Sequence, residues 1–373
     1  MTSWSPTGLK PGHALCLCLL LCNLALASDL PMPVSNNAVA ALLAEPGNDA
    51  AGADYYSFMG LTAGKTWRDI TAAGWWLPAG SSDWQRLPPV PDSATGADAK
   101  QRGRLAAVAV AAADAVWLFG GYHVAADGSE VSSPDVYQIN ARRQPVYRRS
   151  TPMPIPVDDT LALVYRDRYI YLISGWHDLG NVNLVQLFDT RTQSWTQATP
   201  YPGTPVFGHA GGMLDGDMLV CGGVALDHPA SGKRSFRTSA ECWRGRIDAD
   251  DHRRIDWHPA VAMPGLPRYR AAAAADVQRG LIVFAAGSAR AYNYNGIGYD
   301  GMPATPLDSV VSFSLARQQW QCHARLQTAS MDHRGLLLAA DTGELIRIGG
   351  MHAGQQVSAA WLQQPLPPAL PCQ

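Results

Sequence analysis

The sequence is short of charge. Only 16% of its 373 residues are Asp, Glu, Lys or Arg, against about 25% in ordinary soluble domains. Basic and acidic residues nearly balance, 29 against 31, so there is no excess of the kind that a nucleic-acid-binding face requires. Lysine is scarce, since 25 of the 29 basic residues are Arg. Past the N-terminus no apolar run approaches the ~20 residues that cross a bilayer. No CxxC pair points to zinc, no HxH or HxxxH spacing to another metal, and no GxSxG elbow to acyl-enzyme chemistry. Helical periodicity of useful length is missing as well. What the chain has in quantity is 35 Gly, 27 Pro and 12 Trp. Tight turns and wide flat side chains in that proportion indicate an all-β protein.

The first 27 residues read as a separate object. Lys10 and His13 precede the apolar run ALCLCLLLCNLALA, which ends in Ala25-Leu26-Ala27. A short positive region, a short apolar core and a small-x-small end describe a secretory signal peptide. Leu21 before Cys22 is too bulky for lipoprotein cleavage. The expected mature chain starts at Ser28 and is periplasmic or secreted, with no membrane partner after cleavage. It keeps Cys221, Cys242, Cys322 and Cys372. Four cysteines in an oxidising compartment permit two disulfides. Cys221 with Cys242, on successive strands of one unit, and Cys322 with Cys372, across the Pro-rich tail, is one pairing; buried or free thiols are the other reading.

A repeat runs through the mature chain. Five apolar strands end in a pair of small residues, at Gly120-Gly121, Ser174-Gly175, Gly222-Gly223, Ala286-Gly287 and Gly349-Gly350, and the second glycines are 54, 48, 64 and 63 residues apart. An aromatic keeps step at Trp84, Tyr147, Trp195, Trp257 and Trp320, spaced 63, 48, 62 and 63. A degenerate copy, YSFMGL, ends near Gly60. Each unit holds about four short strands, and a period near 50 with a Gly pair and a Trp marks the kelch form of β-propeller blade. Blades leave apolar faces bare unless they close into a ring. The spacing predicts six four-stranded blades, over about 55–90, 104–155, 158–202, 207–262, 268–327 and 332–365. Residues 28–54 form an N-terminal segment whose stretch Asn36 to Glu45 supplies a strand to the first or the closing blade. Residues 366–373 form a Pro-rich tail. The recurring Trp residues are assigned to blade packing, and the Gly pairs to backbone geometry.

Blade geometry says where chemistry should gather. The two inner strands are antiparallel, so the start of the first lies beside the end of the second, at one mouth of the central channel. Residues that open the inner strands include Arg104, Asp158, Asp159, His209, Arg268, Arg270, Asp332 and His333. Those that follow the Gly pairs include Tyr122, His123, Trp176, His177, Asp178, Asp227, His228, Asn293 and His352. Six of the nine mature histidines fall in the two sets. Such a collection suits an anionic, hydroxyl-rich ligand. The structural alternative is that hairpin ends are polar for solvation.

Particular residues carry a resemblance. Gly60 to Trp67 (GLTAGKTW) resembles the GLG-x-AG-x-x-W segment of the secreted N-acetylneuraminate (sialic acid) mutarotases, or epimerases. Arg104, 17 residues before Gly121, matches that family's Arg ahead of its first FGG strand. Pro205 to Leu214 (PVFGHAGGML) is similar to the family's PxxGxAG opening of the fourth blade, and Arg237-Thr238 to its L-R-T element. The resemblance implies an isomerase without cofactor or metal that opens and recloses the ring of a small acidic sugar, with Arg237 pairing with the sugar carboxylate. The family's catalytic Glu is replaced by Val224. Mutarotation still needs an acid and a base, so His209 and Asp178 join Arg237 as candidate catalytic residues. Arg104, His123, His177, Arg268, Asn293 and His333 are candidate substrate-binding residues. The alternative expectation is a noncatalytic carbohydrate-binding or protein-interaction propeller, consistent with Val224. The kelch-bearing copper-radical oxidases are far longer, and no Cys here stands beside a Tyr at the mouth.

Overall fold

The computed structural model describes residues 1–2, 27–43, 52–93, 103–139, 145–227 and 234–372. The leader expected over 1–27 falls almost wholly outside the described residues. From Ala38 onward the chain forms six blades in a ring, and the described residues contain no α-helix. The first blade runs outward through Ala38–Leu43, Ala53–Leu61, Ile70–Leu77 and Gln85–Leu87. The second has Val108–Ala112, Ala115–Phe119, Val136–Ile139 and Tyr147–Arg149. The third has Leu161–Tyr165, Tyr169–Ile173, Val185–Asp189 and Ser194–Gln197. The fourth has Ala210–Leu214, Asp217–Cys221, Cys242–Ile247 and Ile255–Ala260. The fifth has Ala272–Asp276, Leu281–Ala285, Val310–Ser314 and Gln319–His323. Three regular strands make the sixth, Leu337–Leu338, Leu345–Ile348 and Trp361–Gln364.

Ring closure falls on the N-terminal segment. Ala38–Leu43 pairs with Ala53–Leu61 and is the innermost strand of the first blade; it also adjoins the inner strand of the sixth. Just ahead of it, Leu30 N donates to Ala359 O at 2.8 Å, Val34 N to Ser358 O at 3.0 Å, and Gly350 N to Val34 O at 2.9 Å. The segment is thus stitched along the last blade before it enters the first. The tail differs from expectation, because Ala369–Leu370 adds a fifth strand to the outer edge of the fifth blade. Two disulfides hold these arrangements: Cys221–Cys242 joins directly opposed residues of neighbouring strands, and Cys322–Cys372 ties the tail to that outer strand.

The blades pack through their apolar faces. Between the second and third, Trp117, Phe119, Leu172 and Phe188 are all fully buried. The recurrent Trp has a second duty beyond packing: its indole N–H donates to a carbonyl just ahead of its own blade. Trp84 reaches Ser28 O at 2.9 Å, Trp195 reaches Thr151 O at 3.1 Å, and Trp320 reaches Val261 O at 2.8 Å.

A ring of left-handed residues surrounds the neck of the channel. Asn36, Ala106, Asp159, Gly208, Arg270 and Asp332 open the six inner strands with φ between 48° and 67°. Left-handed backbone is uncommon for residues other than Gly, and here it turns each amide toward the preceding blade. Asp159 N donates to Ala106 O at 3.0 Å, Gly208 N to Asp159 O at 2.8 Å, and Arg270 N to Gly208 O at 2.8 Å. His333 N continues to Arg270 O at 3.1 Å, and Asn36 N to Asp332 O at 3.0 Å. The Asn36 side-chain oxygen accepts from Ala106 N and completes the circle.

Candidate functional site

Hairpins rise beyond the Gly pairs and wall the mouth of the channel. They are Tyr122–Val124 with Glu130–Ser132, Trp176–His177 with Gly180–Asn181, Val224–Asp227 with Ser235–Thr238, and Met351–His352 with Gln356–Val357. Between them lies a cleft of about 330 Å³ whose walls include Tyr122, Trp176, Phe207, Phe236, Tyr294 and Tyr299. Phe236 and Tyr299 stack with ring centroids 3.9 Å apart. Flat apolar faces of this kind suit the C–H face of a sugar ring.

Carboxyls are set among these rings. Asp158 is 3% exposed and accepts a hydrogen bond from Ser132 Oγ at 2.6 Å. Burial pushes its carboxyl far above the usual carboxylate range, with Asp159 and Glu130 adding to the shift. The same Ser132 Oγ accepts from Asp178 N at 3.2 Å, so one hydroxyl joins two acidic residues of the cleft. Glu130 stands at the solvent-exposed rim, yet the desolvating surroundings of its carboxyl raise its pKa against the pull of Arg270. A carboxyl with a raised pKa holds its proton more tightly and can serve as an acid, and a second carboxyl closer to solvent can serve as a base.

The floor of the cleft is an ionic plug. Arg270 meets Asp159 at 2.6 Å and Asp332 at 3.0 Å, and Arg334 pairs with the other Asp159 oxygen. Burial by itself would raise the Asp159 pKa, but the two guanidiniums outweigh it and hold the carboxylate below its ordinary range. Tyr269 and Tyr292 cover Arg270, with ring centroids 4.8 and 5.5 Å from the guanidinium carbon. Arg270 is therefore spoken for. Among the described residues, Arg234 is the one guanidinium lining the cleft without an ion-pair partner.

The structure sorts the residues singled out in the sequence into three places. Asp178 and Asn293 line the cleft, with His177 beside them. His177 Nδ1 lies 2.7 Å from Pro156 O, and its Nε2 is 3.7 Å from Asp178. Arg104 and Arg268 point into their own blades instead of the mouth. Arg104 pairs with Asp135 at 2.9 Å, and His123 stands 3.1 Å from Asp92 in the same buried cluster. Arg268 donates to Ala286 O and Ser309 O at 3.0 and 2.8 Å, pinning strand ends. His209 and His333 lie on the far side of the plug, facing an inner cavity that shares no lining residue with the cleft.

Arg237 also differs from expectation. Side chains alternate along a strand; Arg234 and Phe236 face the cleft, and Arg237 turns the other way to pair with Asp227 at 3.0 Å, half exposed. Val224 is fully buried among Phe207, Tyr269 and Tyr122. The residues that sequence reasoning did not single out are Glu130, Ser132, Arg234, Phe236 and Tyr299. They sit on the second arms of hairpins or in the long segment of the fifth blade, where neither repeat marker reaches. Among the described residues no cluster of His, Cys, Asp or Glu is arranged to hold a metal ion.

No protein-family model and no curated protein sequence matches the chain. Solved structures match its fold, among them that of YjhT, with a TM-score of 0.67 and 15% identity over 91% of this chain and 97% of that one. At that identity the likeness is one of architecture: the chain folds as a six-bladed β-propeller.

Proposed function

We propose that the mouth cleft binds a sugar and interconverts its anomers by opening and reclosing the ring. The observation that carries this reading is the pair of raised carboxyls, Asp158 and Glu130, facing one aromatic cleft. Ring opening needs a proton delivered to the ring oxygen and one removed from the anomeric hydroxyl. Asp158, the more deeply buried of the two, delivers the first, and Glu130 at the rim removes the second. Reclosure on the opposite face uses the same groups in reverse. Asp178, tied to Asp158 through Ser132, accepts sugar hydroxyls. For the small acidic sugar that the resemblance implies, Arg234 supplies the counter-charge in place of Arg237. The protein works in the periplasm or outside the cell once its leader is removed, a setting in keeping with its two disulfides.

A noncatalytic sugar-binding propeller is the second reading, favoured by Val224 buried where the resembling family has its Glu. Proton NMR of freshly dissolved α-N-acetylneuraminate, with and without the mature protein, separates the two. Faster α-to-β exchange that disappears in Glu130→Gln supports the mutarotase. Selective broadening of the sugar signals without faster exchange supports binding alone. If neither effect appears, this sugar is not the ligand of the cleft.

A further inference from the structure

The charges lining the mouth cleft are unevenly divided. Glu130, Asp158, Asp159 and Asp178 stand there with two guanidiniums, Arg234 and Arg270. Within the plug the signs cancel, because Asp159 and Asp332 are met by Arg270 and Arg334. What remains in the cleft, among the described residues, is Glu130, Asp158 and Asp178 against Arg234. His177 is the titratable base beside them, its Nε2 3.7 Å from Asp178. Even with Asp158 protonated, carboxylates outnumber guanidiniums. Arg234 is also solvent-exposed, where water and salt screen its charge, whereas Asp158 is buried, where a charge is felt strongly.

One serine gathers the three carboxyls. Glu130 and Ser132 lie two residues apart on one strand, so their side chains share a face about 7 Å apart. Ser132 Oγ donates to Asp158 at 2.6 Å and accepts from Asp178 N at 3.2 Å. Ser132 N donates to Asp178 Oδ1 at 3.3 Å. The trio therefore lies within reach of a single sugar ring. Asp158 is 3% exposed and lines the cleft, and its second oxygen meets no donor among the described residues.

The aromatic wall favours the same sign of charge. A cation within about 6 Å of a ring centroid is attracted to its face, most strongly for Trp. The Trp176 indole N–H donates to Asp178 O at 3.1 Å, which sets that ring beside the carboxylate. Phe236 stands next to it, with centroids 6.1 Å apart.

We propose that the sugar of the mouth cleft is an amino sugar, its ammonium held by Asp178 beside the Trp176 ring. An ammonium offers three donors and a carboxylate only accepts, so the two are matched. The ring carbons then lie against the aromatic wall, and the anomeric end faces Glu130 and Asp158. The inference rests on reading the mouth as a sugar site and changes the sign of the sugar's charge. An acidic sugar would add a further negative group against one exposed guanidinium.

The test compares three sugars on the full mature chain by ligand-observed NMR titration at low salt. They are glucosamine, charged at the working pH, glucose, with a hydroxyl in place of the ammonium, and N-acetylneuraminate. Glucosamine is expected to bind about tenfold more tightly than glucose, and N-acetylneuraminate more weakly than either. Asp178→Asn should bring glucosamine down to the level of glucose. Arg234→Gln, at an exposed position, should tighten glucosamine severalfold and serves if the Asp178 variant does not fold. Glucosamine binding no better than glucose overturns the proposal and leaves the sugar reading standing. So does weaker glucosamine binding in Arg234→Gln. Binding of none of the three overturns the sugar reading, and the proposal falls with it.

Discussion

Asp159 and Arg334, both almost fully buried, form an ion pair across the neck of the propeller and divide its axis into two compartments. Asp159 faces the aromatic cleft, and Arg334 faces the inner cavity. The same carboxylate also receives two hydrogen bonds from Arg270, at 3.1 and 2.6 Å. One aspartate thus holds two guanidiniums: Arg270 has Asp332 as a second partner, and Arg334 has no other carboxylate partner among the described residues.

Replacing it should be costly. Asp159→Asn keeps the shape and removes the charge, leaving a buried cation excess. Loss of one member of a buried pair typically costs about 3–5 kcal/mol. Urea denaturation of the variant is expected to show a loss of that size, and a loss under about 1 kcal/mol would mean that water reaches the plug.

At the mouth, Glu130→Gln and Asp158→Asn are each expected to slow anomer exchange by about 10²–10⁴-fold, the usual worth of a general acid or base. Arg237→Ala should change it by less than about twofold, because that side chain pairs with Asp227 outside the cleft. Its stability effect should stay below about 1 kcal/mol, as for other exposed pairs. A collapse of exchange in the Arg237 variant would return catalysis to the fourth-blade hairpin.

His209 makes the fold acid-sensitive. Burial holds its pKa down to about 4, against an ordinary value of 6.5. The unfolded chain therefore binds a proton that the folded chain refuses over that interval. His209's contribution is fully present above pH ~6.5 and is lost as pH falls toward 4, by about 3 kcal/mol in all. His333 is shifted in the same direction, by burial first and then by Arg347, His352 and Arg334. Melting curves between pH 7 and 4.5 should fall less steeply for His209→Gln than for the parent chain.

Reduction should weaken the ring at two points. The Cys221–Cys242 bridge spans 21 residues and the Cys322–Cys372 bridge 50. Loop-closure entropy assigns them about 3 and about 4 kcal/mol. Stability measured with and without reductant should differ accordingly. Cys372→Ser should release the tail strand at 369–370 to rapid hydrogen exchange and leave the fourth blade protected.

Gly208 is the member of the neck ring that cannot take a side chain. Its φ is +62°, and a Cβ there would lie 2.2 Å from the Tyr269 ring. Gly208→Ala should cost about 2 kcal/mol or more, against about 1 kcal/mol for Gly128→Ala, where the space is open and only the left-handed backbone, φ +82°, opposes a side chain. Chemical denaturation of the two variants checks the contrast.

The chain's own pattern determined the architecture. Gly pairs and aromatics recurring in phase mark second and outer strands, and half-bare blades have no stable alternative to a ring. Packing of the recurrent Trp residues was legible for the same reason, since a periodic aromatic in a repeat must serve the repeat. The cysteine partnerships were one of two readings open in the sequence, and the folded chain takes it, joining Cys221 to Cys242 and Cys322 to Cys372.

Tertiary structure decided the site. Opening an inner strand places a residue near the neck, but the left-handed turn at Asp159, Gly208 and Asp332 decides which side of the plug each neighbour faces. It sends Asp158 to the cleft and His209 and His333 to the inner cavity. Hairpin alternation likewise turns Phe236 inward and Arg237 away, a difference of one residue. Sequence spacing defines position along a strand; which compartment a side chain enters depends on backbone handedness and on charges brought together from three blades, and these exist only once the ring has closed.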